Sequence, residues 1–476
     1  MNLPRFPADF LWGTSTAAHQ VEGGNHGNDW WAWEDVPGHI RNGDRSDPAC
    51  DHYRRFVDDF DLLGRLHQNA HRLSLEWSRI EPAPGQFATD AIDHYAEVLK
   101  ALRARGMRPF VTLHHFTNPA WIADAGGWGA PETAERFARY ADRVMAELGE
   151  FADDWITINE PTVVAYQGFL KGEWPPGTRD LRTAVRVLVT MLRGHWLAYE
   201  RMKQRRGDIR IGLAHHLRIF DPARRFAPQD RIVAAAFQRV FNESVLRSLR
   251  QGRLAFPLSR AGRASGPPAS QDFIGLNYYT RELIRFNRRY RAELFGQRIM
   301  RPGVLRSELD WEIYPDGLYR TLMWLRREHL PIFVTENGIA DASDALRPQF
   351  LIDHARAMLS AIGDGVPLRG YFHWDLLRQL RVGRRVLGKV WSDRERPGQA
   401  GAPSPDERAP VCGDLPNGRH PIQRRAAAGA RSWINVESSS RPPVTSSHGA
   451  AGRPTRKRCS ISATVASPTS SSAEIR

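Results

Sequence analysis

Two glutamates, Glu160 in TINEP and Glu336 in VTENG, have the sequence setting of paired catalytic carboxylates. Each follows a short apolar, β-branched segment and stands beside an asparagine. Two carboxyl groups that flank a cleft can cleave a glycosidic bond, because one protonates the leaving oxygen while the other attacks the sugar or activates water. Their separation decides the stereochemistry, at about 5–5.5 Å for retention and about 6.5–9.5 Å for inversion. A lone glutamate at a strand end is usually a solvated loop residue, so it is the occurrence of two such glutamates that indicates a catalytic site.

Eight short β-rich segments alternate with helical patterns along residues 9–374. Between them lie stretches whose apolar residues recur at three- and four-residue spacing, which is typical of amphipathic helices. Strand–helix alternation predicts parallel strands with crossover helices, and eight units predict a closed (β/α)8 TIM barrel of the α/β class. An open doubly wound sheet is the alternative, but no glycine-rich phosphate loop follows the first strand. The segments begin at Asp9, Ala70, Arg108, Asp154, Arg210, Asp272, Pro331 and Leu368.

Polar and aromatic residues follow most of these predicted strands. In such barrels the carboxyl ends of the strands form the rim that carries the active site. An arginine beside one carboxylate would keep it ionised, whereas the acid needs a site that raises its pKa, and Arg72 is a candidate for that arginine. The strand-end residues are Gln20, Arg72, Trp77, His114, His115, Asn159, Glu160, Asn277, Tyr279, Glu336, Asn337 and Trp374.

The adjacent histidines His114 and His115 raise the question of a metal site. Zinc needs three or four ligands, and no third ligand stands at suitable spacing. We therefore expect no metal and no cofactor, and we expect His114 to be a packing residue.

Seven stretches resemble glycoside hydrolase family 1, the β-glucosidase family. The family has a (β/α)8 barrel and acts with retention, so the resemblance implies a retaining β-glycosidase that acts on a small β-glycoside or oligosaccharide. A 6-phospho-β-glycosidase of the same family and an inactive sugar-binding remnant are the alternatives. The stretches, in the family's order over residues 10–374, are FLWGTSTAAHQVEG, HRLSLEWSRIEP, FVTLHHF, TINEP, DFIGLNYYT, FVTENG and YFHW.

The resemblance also implies catalytic roles for residues that match the family motifs. Glu160 would be the acid/base and Glu336 the nucleophile. Arg72 and Asn277 would orient the nucleophile. Tyr279 would do the same while contacting the substrate.

Five further residues would bind the sugar by the same resemblance. Asn159 would bond the 2-hydroxyl, and Gln20 and His115 would hold the side of the 3- and 4-hydroxyls. Trp374 would be the platform beneath the ring. Trp121 would border an outer subsite.

Charge and cysteine content bear on partners and location. The formal net charge is +14, but most of the excess lies after residue 377, so it does not predict a nucleic-acid partner for the folded part. The three cysteines give no disulfide framework, and the N-terminal MNLPRFPADFLWG lacks the pattern of a signal peptide. No apolar run reaches the length that a bilayer requires. We expect a cytoplasmic protein with no membrane partner.

The resemblance stops after residue 377. The family pattern WSLLDNFEW is replaced by WDLLRQLRV, so Arg381 and Val382 stand where the family has a sugar-binding glutamate and tryptophan. A reading frame displaced by one base near codon 377 permits Asp-Asn-Phe-Glu-Trp, which suggests a frame error in the gene or its assembly. We therefore expect 1–377 to form a barrel without its last helix and 378–476 to form a basic, low-complexity, disordered tail. Loss of that helix would impair stability.

Overall fold

A computed structural model defines residues 5–40 and 43–375. The expectations for Arg381, Val382, the absent last helix and the disordered tail lie outside these residues. The strands are β1 (Leu11–Ser15), β2 (Ala70–Ser74), β3 (Arg108–His114), β4 (Asp154–Asn159), β5 (Arg210–His216), β6 (Ile219–Pro222), β7 (Phe273–Asn277), β8 (Arg281–Phe286), β9 (Gly296–Ile299), β10 (Ile332–Asn337) and β11 (Leu368–His373).

The α-helices alternate with the barrel strands, and several short 3₁₀ and π segments extend or follow them. The α-helices are α1 (Ala18–Val21), α2 (Asp29–Glu34), α3 (His52–Arg65), α4 (Trp77–Ile80), α5 (Thr89–Ala104), α6 (Ala120–Asp124), α7 (Thr133–Leu148), α8 (Pro161–Val164), α9 (Leu181–Arg205), α10 (Pro228–Phe237), α11 (Ser244–Gln251), α12 (Pro315–Leu325) and α13 (Arg347–Gly363). The 3₁₀ segments are Gly127–Gly129, Gly149–Phe151, Leu258–Arg260, Arg291–Glu293 and Arg326–Glu328, and the π segments are Ala165–Lys171 and Gln238–Glu243. No helix in the described ranges has the length and apolarity to cross a bilayer.

Eight parallel strands close into a barrel in the order β1-β11-β10-β7-β5-β4-β3-β2. These are the eight segments that the sequence predicts, so the (β/α)8 prediction is confirmed. The sequence reading missed β6, β8 and β9, which form a separate three-stranded sheet. These strands are four to six residues long and carry arginine, glutamate and aspartate, so they lack the apolar runs that mark the barrel strands.

Aromatic residues fill the inside of the barrel at its amino end. Phe110 of β3 has its ring centroid 5.9 Å from Phe273, 5.0 Å from Phe333 and 4.8 Å from Phe372. All four side chains are buried. Because side chains alternate along a strand, the next inward positions lie one layer closer to the carboxyl rim. The phenylalanines therefore form an apolar floor beneath the polar residues described below.

The helices cover the barrel through apolar stripes at helical spacing. Helix α7 buries Phe137, Tyr140, Val144 and Leu148, which lie three or four residues apart. Such a stripe faces one side of a helix, so it packs on the barrel while the charged residues between remain at the surface. In α7, apolar residues at three- and four-residue spacing therefore do form a helix, as the sequence pattern between the strands predicts.

Candidate active site

Each of the strands that end at the two glutamates carries one extra residue near its carboxyl end. Between Ile156 and Asn159, β4 advances three residues while its partner β5 advances two. Between Val334 and Glu336, β10 advances two residues while β7 advances one. Such bulges bend a strand and redirect the side chains that follow, and they are common beside active sites. They redirect both carboxylates relative to a regular strand.

Glu160 leaves β4 through a left-handed backbone conformation. Its φ is 48° and its ψ is 57°, which is costly for a residue with a Cβ. The Glu160 N–H donates to the carbonyl of Ala214 at 2.8 Å, and Pro161 then begins α8. Proline is favoured at the first helical position because its N–H would have no helical partner there. The NEP sequence is therefore a strand-to-helix turn that fixes where Glu160 points.

Glu336 is buried and held by two donors. Arg72 Nη1 donates to Glu336 Oε1 at 2.5 Å, and Tyr279 Oη donates to Oε2 at 2.7 Å. His115 Nε2 lies 3.9 Å from Oε1. The expectation that Arg72 and Tyr279 contact Glu336 agrees with this geometry. A permanent cation at this distance favours the ionised carboxylate.

Arg72 is fully buried, and its guanidinium donates to side chains on three other strands, β1, β3 and β4. Its Nη2 donates to Asn159 Oδ1 at 2.7 Å, its Nε to Thr112 Oγ1 at 3.1 Å, and its Nη1 also to Ser15 Oγ at 3.2 Å. A buried guanidinium is costly unless its donors are satisfied. These partners hold Arg72 against Glu336 with little freedom to move.

Glu160 is also buried, but its partners differ in kind. Asn277 Nδ2 donates to Glu160 Oε1 at 2.7 Å, and His216 Nδ1 lies 2.9 Å from the same oxygen. Asn277 was expected to orient Glu336, and that role stays a prediction. Its Nδ2 donates to Asn159 and Glu160, and its Oδ1 accepts from Thr335 Oγ1 at 2.6 Å, so the side chain links the ends of β4 and β10.

Both glutamates line one cleft of about 860 Å³ at the carboxyl ends of the strands. Gln20, Tyr279 and Trp374 line it as well. The sequence interpretation required the two carboxyl groups to share a pocket, and they do. Trp311, which the sequence reading did not single out, also lines this cleft and packs against Tyr279 with a centroid distance of 5.3 Å.

Two buried polar atoms at the cleft have no hydrogen-bond partner among the described residues. They are Gln20 Oε1 and His115 Nδ1. An adjoining cavity of about 680 Å³ is lined by both residues. Trp374 stacks on His115 at a centroid distance of 5.7 Å and an angle of 24°. Buried polar groups are normally paired, so these two are suited to hydroxyl groups of a ligand.

Trp121, expected to border an outer subsite, lines neither of these two cavities. Its indole N–H donates to the carbonyl of Glu81 at 2.9 Å, and its ring packs edge to face on Trp77 at 6.2 Å. These contacts pack the half-buried ring against the apolar core. His114 is likewise buried and packs edge to face on Trp128 at 5.2 Å, in agreement with the expected packing role. No cluster of three or more metal-binding side chains occurs in the described part of the chain.

The two carboxyl groups influence each other's proton affinity. Burial raises the pKa of Glu336 to about 7, with the charge of Glu160 adding to the rise and Arg72 opposing it. Burial also acts to raise the pKa of Glu160, but His216, Asn277 and Arg218 outweigh it and hold the pKa below its usual value. Interacting groups titrate as a pair, so the site retains one shared proton between an acidic step and a step near pH 7.

A parallel barrel with two buried carboxyl groups in one cleft at its carboxyl rim has the architecture of a glycoside hydrolase. The sequence profile described as glycosyl hydrolase family 1 matches residues 3–384. The chain belongs to this family. Beta-glucosidase A of Thermotoga maritima is 33% identical over 407 residues, covering 79% of this chain and 90% of the relative. A beta-galactosidase of Pyrococcus woesei is 28% identical and covers 78% and 89%.

Solved structures agree with this assignment. The beta-glucosidase from Thermotoga maritima in complex with glucoimidazole superposes with a TM-score of 0.72 at 32% identity, over 79% of this chain and 90% of that one. The beta-glycosidase from Pyrococcus horikoshii gives a TM-score of 0.71 at 34% identity, over 78% and 85%. The similarity therefore extends over most of the described barrel.

The glycine of VTENG is required by a close approach of two chain segments. A Cβ added to Gly338 would lie 1.6 Å from the carbonyl oxygen of Trp374. We expect Gly338→Ala to lower the free energy of unfolding by about 2 kcal/mol or more, because the backbone after β11 must shift. Gly363→Ala is the control, since its Cβ would meet nothing within 4 Å at the end of α13. Urea unfolding of both variants measures this loss of stability, and equal unfolding midpoints for the two variants would contradict the prediction.

Proposed function

We propose that the protein is a retaining β-glycosidase of the β-glucosidase type, with Glu336 as nucleophile and Glu160 as acid/base. The observation that carries the proposal is the contrast between two carboxyl groups in one cleft. Glu336 lies against the permanent charge of Arg72 and the hydroxyl of Tyr279, whereas Glu160 contacts the neutral amide of Asn277 and the ring of His216. Arg72 and Tyr279 can stabilise the charge of an ionised nucleophile, and Glu160 shares the single proton of the pair, so Glu160 can act as the acid whenever Glu336 is the ionised member.

The reaction proceeds in two displacements. Glu336 attacks the anomeric carbon while Glu160 protonates the glycosidic oxygen, which breaks that bond and leaves an ester between the sugar and Glu336. Glu160, now ionised, removes a proton from water, and the resulting hydroxyl attacks the anomeric carbon and releases Glu336. Two inversions give net retention. Arg72 stabilises the ionised form of Glu336 before attack and stabilises it again as the leaving group afterwards.

The sugar is held by the polar atoms that the protein leaves unpaired. Gln20 Oε1 and His115 Nδ1 hydrogen-bond ring hydroxyls, and Asn159, whose Nδ2 lies 3.1 Å from His115 Nε2, stands beside Glu160 for the 2-hydroxyl. Trp374 supports the apolar face of the ring. A small β-glycoside or oligosaccharide is the substrate.

The shared proton predicts the pH dependence of kcat/KM. The first displacement needs one proton on the pair, so activity rises as the fully protonated pair loses its first proton in acid. It falls as the second proton is lost, which the raised pKa of Glu336 places near pH 7. We expect a bell-shaped profile with its alkaline midpoint within about one unit of pH 7. A rate that stays constant to pH 9 would contradict this, and initial rates on an aryl β-glucoside measure it.

We further propose that 1–377 forms the glycosidase domain, that 378–476 lies outside it, and that the protein is cytoplasmic. The match to the family profile ends at residue 384, and the solved relatives cover 78–79% of the chain, which supports the boundary. The proposed location rests on the low cysteine content.

The experiment that tests the function compares this chain with one whose reading frame is restored after codon 377. Both are assayed on an aryl β-glucoside beside its 6-phosphate. We expect hydrolysis of the plain glucoside by both chains, with the restored chain faster. Hydrolysis of the 6-phosphate alone would favour the 6-phospho-β-glycosidase, and no hydrolysis by either folded chain would contradict a glycosidase function.

A further inference from the structure

Beside Glu160, a chain of buried and half-buried polar groups leads from the cleft to the three-stranded sheet of β6, β8 and β9. His216, the last residue of β5, lies against Glu160 Oε1. Arg218 Nε lies 2.7 Å from His216 Nε2, and its Nη1 contacts Glu282 of β8. Arg298 of β9 lies 2.9 Å from Glu282 Oε2. The small sheet therefore holds the arginine that contacts the histidine.

The chemistry of this chain determines the tautomer of His216. An arginine Nε–H can only donate, so His216 Nε2 must accept from Arg218. Burial lowers the pKa of His216 below its ordinary value, so the ring is neutral and carries its hydrogen on Nδ1. His216 therefore donates to Glu160 Oε1. Asn242 fixes Arg218 in turn, because its Nδ2 donates to the Arg218 carbonyl at 2.7 Å.

The two oxygens of Glu160 are thereby distinguished. Oε1 accepts from His216 and from Asn277, while Oε2 has no hydrogen bond in the described part of the chain and belongs to a side chain that lines the cleft. A carboxyl group whose Oε1 accepts two donors carries its proton on Oε2. That oxygen is the one free to reach the glycosidic oxygen.

We propose that His216, held by Arg218 and the three-stranded sheet, is the positioning residue that turns Oε2 of Glu160 toward the leaving group. The inference rests on the proposed role of Glu160 as acid/base. It gives the small sheet a part in catalysis, since Glu282 and Arg298 hold Arg218 in place. The titratable and charged groups around Glu160 and His216 are Arg72, Arg218, Tyr279, Glu282, Arg298 and Glu336.

The kinetic test compares two β-glucosides that differ in their need for acid assistance. We expect His216→Phe to lower kcat/KM for an alkyl β-glucoside about 10- to 100-fold and for 2,4-dinitrophenyl β-glucoside less than about 3-fold, since the latter leaves without a proton. His216→Asn keeps an N–H donor near the Nδ1 position and is expected to restore most of the alkyl activity. His215→Phe is the matched control, because that buried histidine on the same strand contacts Gln271 instead. Equal losses on both substrates, or the same pattern in His215→Phe, would overturn the proposal.

A second measurement does not depend on turnover. The Glu160 carboxyl is titrated by NMR in the full chain labelled with ¹³C-glutamate, and its signal is assigned with Glu160→Gln. Because the His216 N–H stabilises the carboxylate, His216→Phe is expected to raise the pKa of Glu160 by about half a unit or more. Circular dichroism confirms folding. An unchanged pKa in folded His216→Phe overturns the positioning role even if the chain hydrolyses no glycoside, an outcome that would contradict the proposed function separately.

Discussion

Replacing Glu336 with glutamine is expected to reduce kcat/KM for an aryl β-glucoside by more than about 10⁴-fold. The amide cannot form the glycosyl ester, and it leaves Arg72 without the carboxylate that balances its buried charge. Good and poor leaving groups should be affected alike, because the attack itself is lost. Initial rates over a range of substrate concentrations measure the effect.

Glu328→Gln is the matched control for this variant. Glu328 is a buried carboxylate paired with Arg250 at 3.0 Å, and it follows α12 away from the cleft. The Glu328→Gln variant therefore loses the same charge at a position that does not contact the substrate. We expect its kcat/KM to remain within about 3-fold of the unmodified chain. A similar loss in both variants would mean that stability, and not nucleophilic attack, explains the result.

Replacing Glu160 with alanine is expected to have the second largest effect, and this effect depends on the leaving group. For an alkyl β-glucoside, kcat/KM should fall about 10²- to 10⁴-fold, the range that a positioned general acid supplies. For 2,4-dinitrophenyl β-glucoside the first displacement should be nearly unchanged, while breakdown of the glycosyl ester slows because no base activates water. A burst of dinitrophenol followed by a slow steady rate would show this.

Azide provides the diagnostic for Glu160→Ala. A small anion that needs no base can enter the space left by the carboxyl group and release Glu336. We expect azide to restore turnover of the dinitrophenyl substrate and to yield β-glucosyl azide, identified by NMR. An α-configured azide, or no acceleration in a folded variant, would contradict the assignment of Glu160.

The barrel was predictable from the sequence because its eight strands carry strong local signals. Each buried strand is a short apolar run, and the helices between show clear periodicity, as in α7. The strands β6, β8 and β9 were missed because their polar residues are satisfied by tertiary partners. Glu282, for instance, looks like a surface residue in the sequence but is buried against Arg218 and Arg298.

The sequence predicted which residues lie at the site better than it predicted which of them contact one another. The strand-end rule and the family motifs identified Glu160 and Glu336, and both lie in one cleft. The contacts of Asn277 with Asn159, Glu160 and Thr335 were not predicted, because the sequence does not reveal the change of register between β7 and β10 beside it. His216 was missed although the same strand-end rule, applied to β5, would have included it. The contacts of Trp121 with Glu81 and Trp77 were likewise not predicted, because its spacing after β3 does not show which neighbours its ring meets.

The most direct test of the central claim is to trap the covalent intermediate. The chain is incubated with 2,4-dinitrophenyl 2-deoxy-2-fluoro-β-glucoside and is then digested and analysed by mass spectrometry. The fluorine slows both displacements, while the good leaving group keeps the first fast enough for the ester to accumulate. The proposed mechanism predicts one 2-fluoroglucosyl group per chain, attached to the peptide that contains Glu336. Labelling of another residue, or no labelling of a folded chain that hydrolyses the parent glucoside, would contradict it.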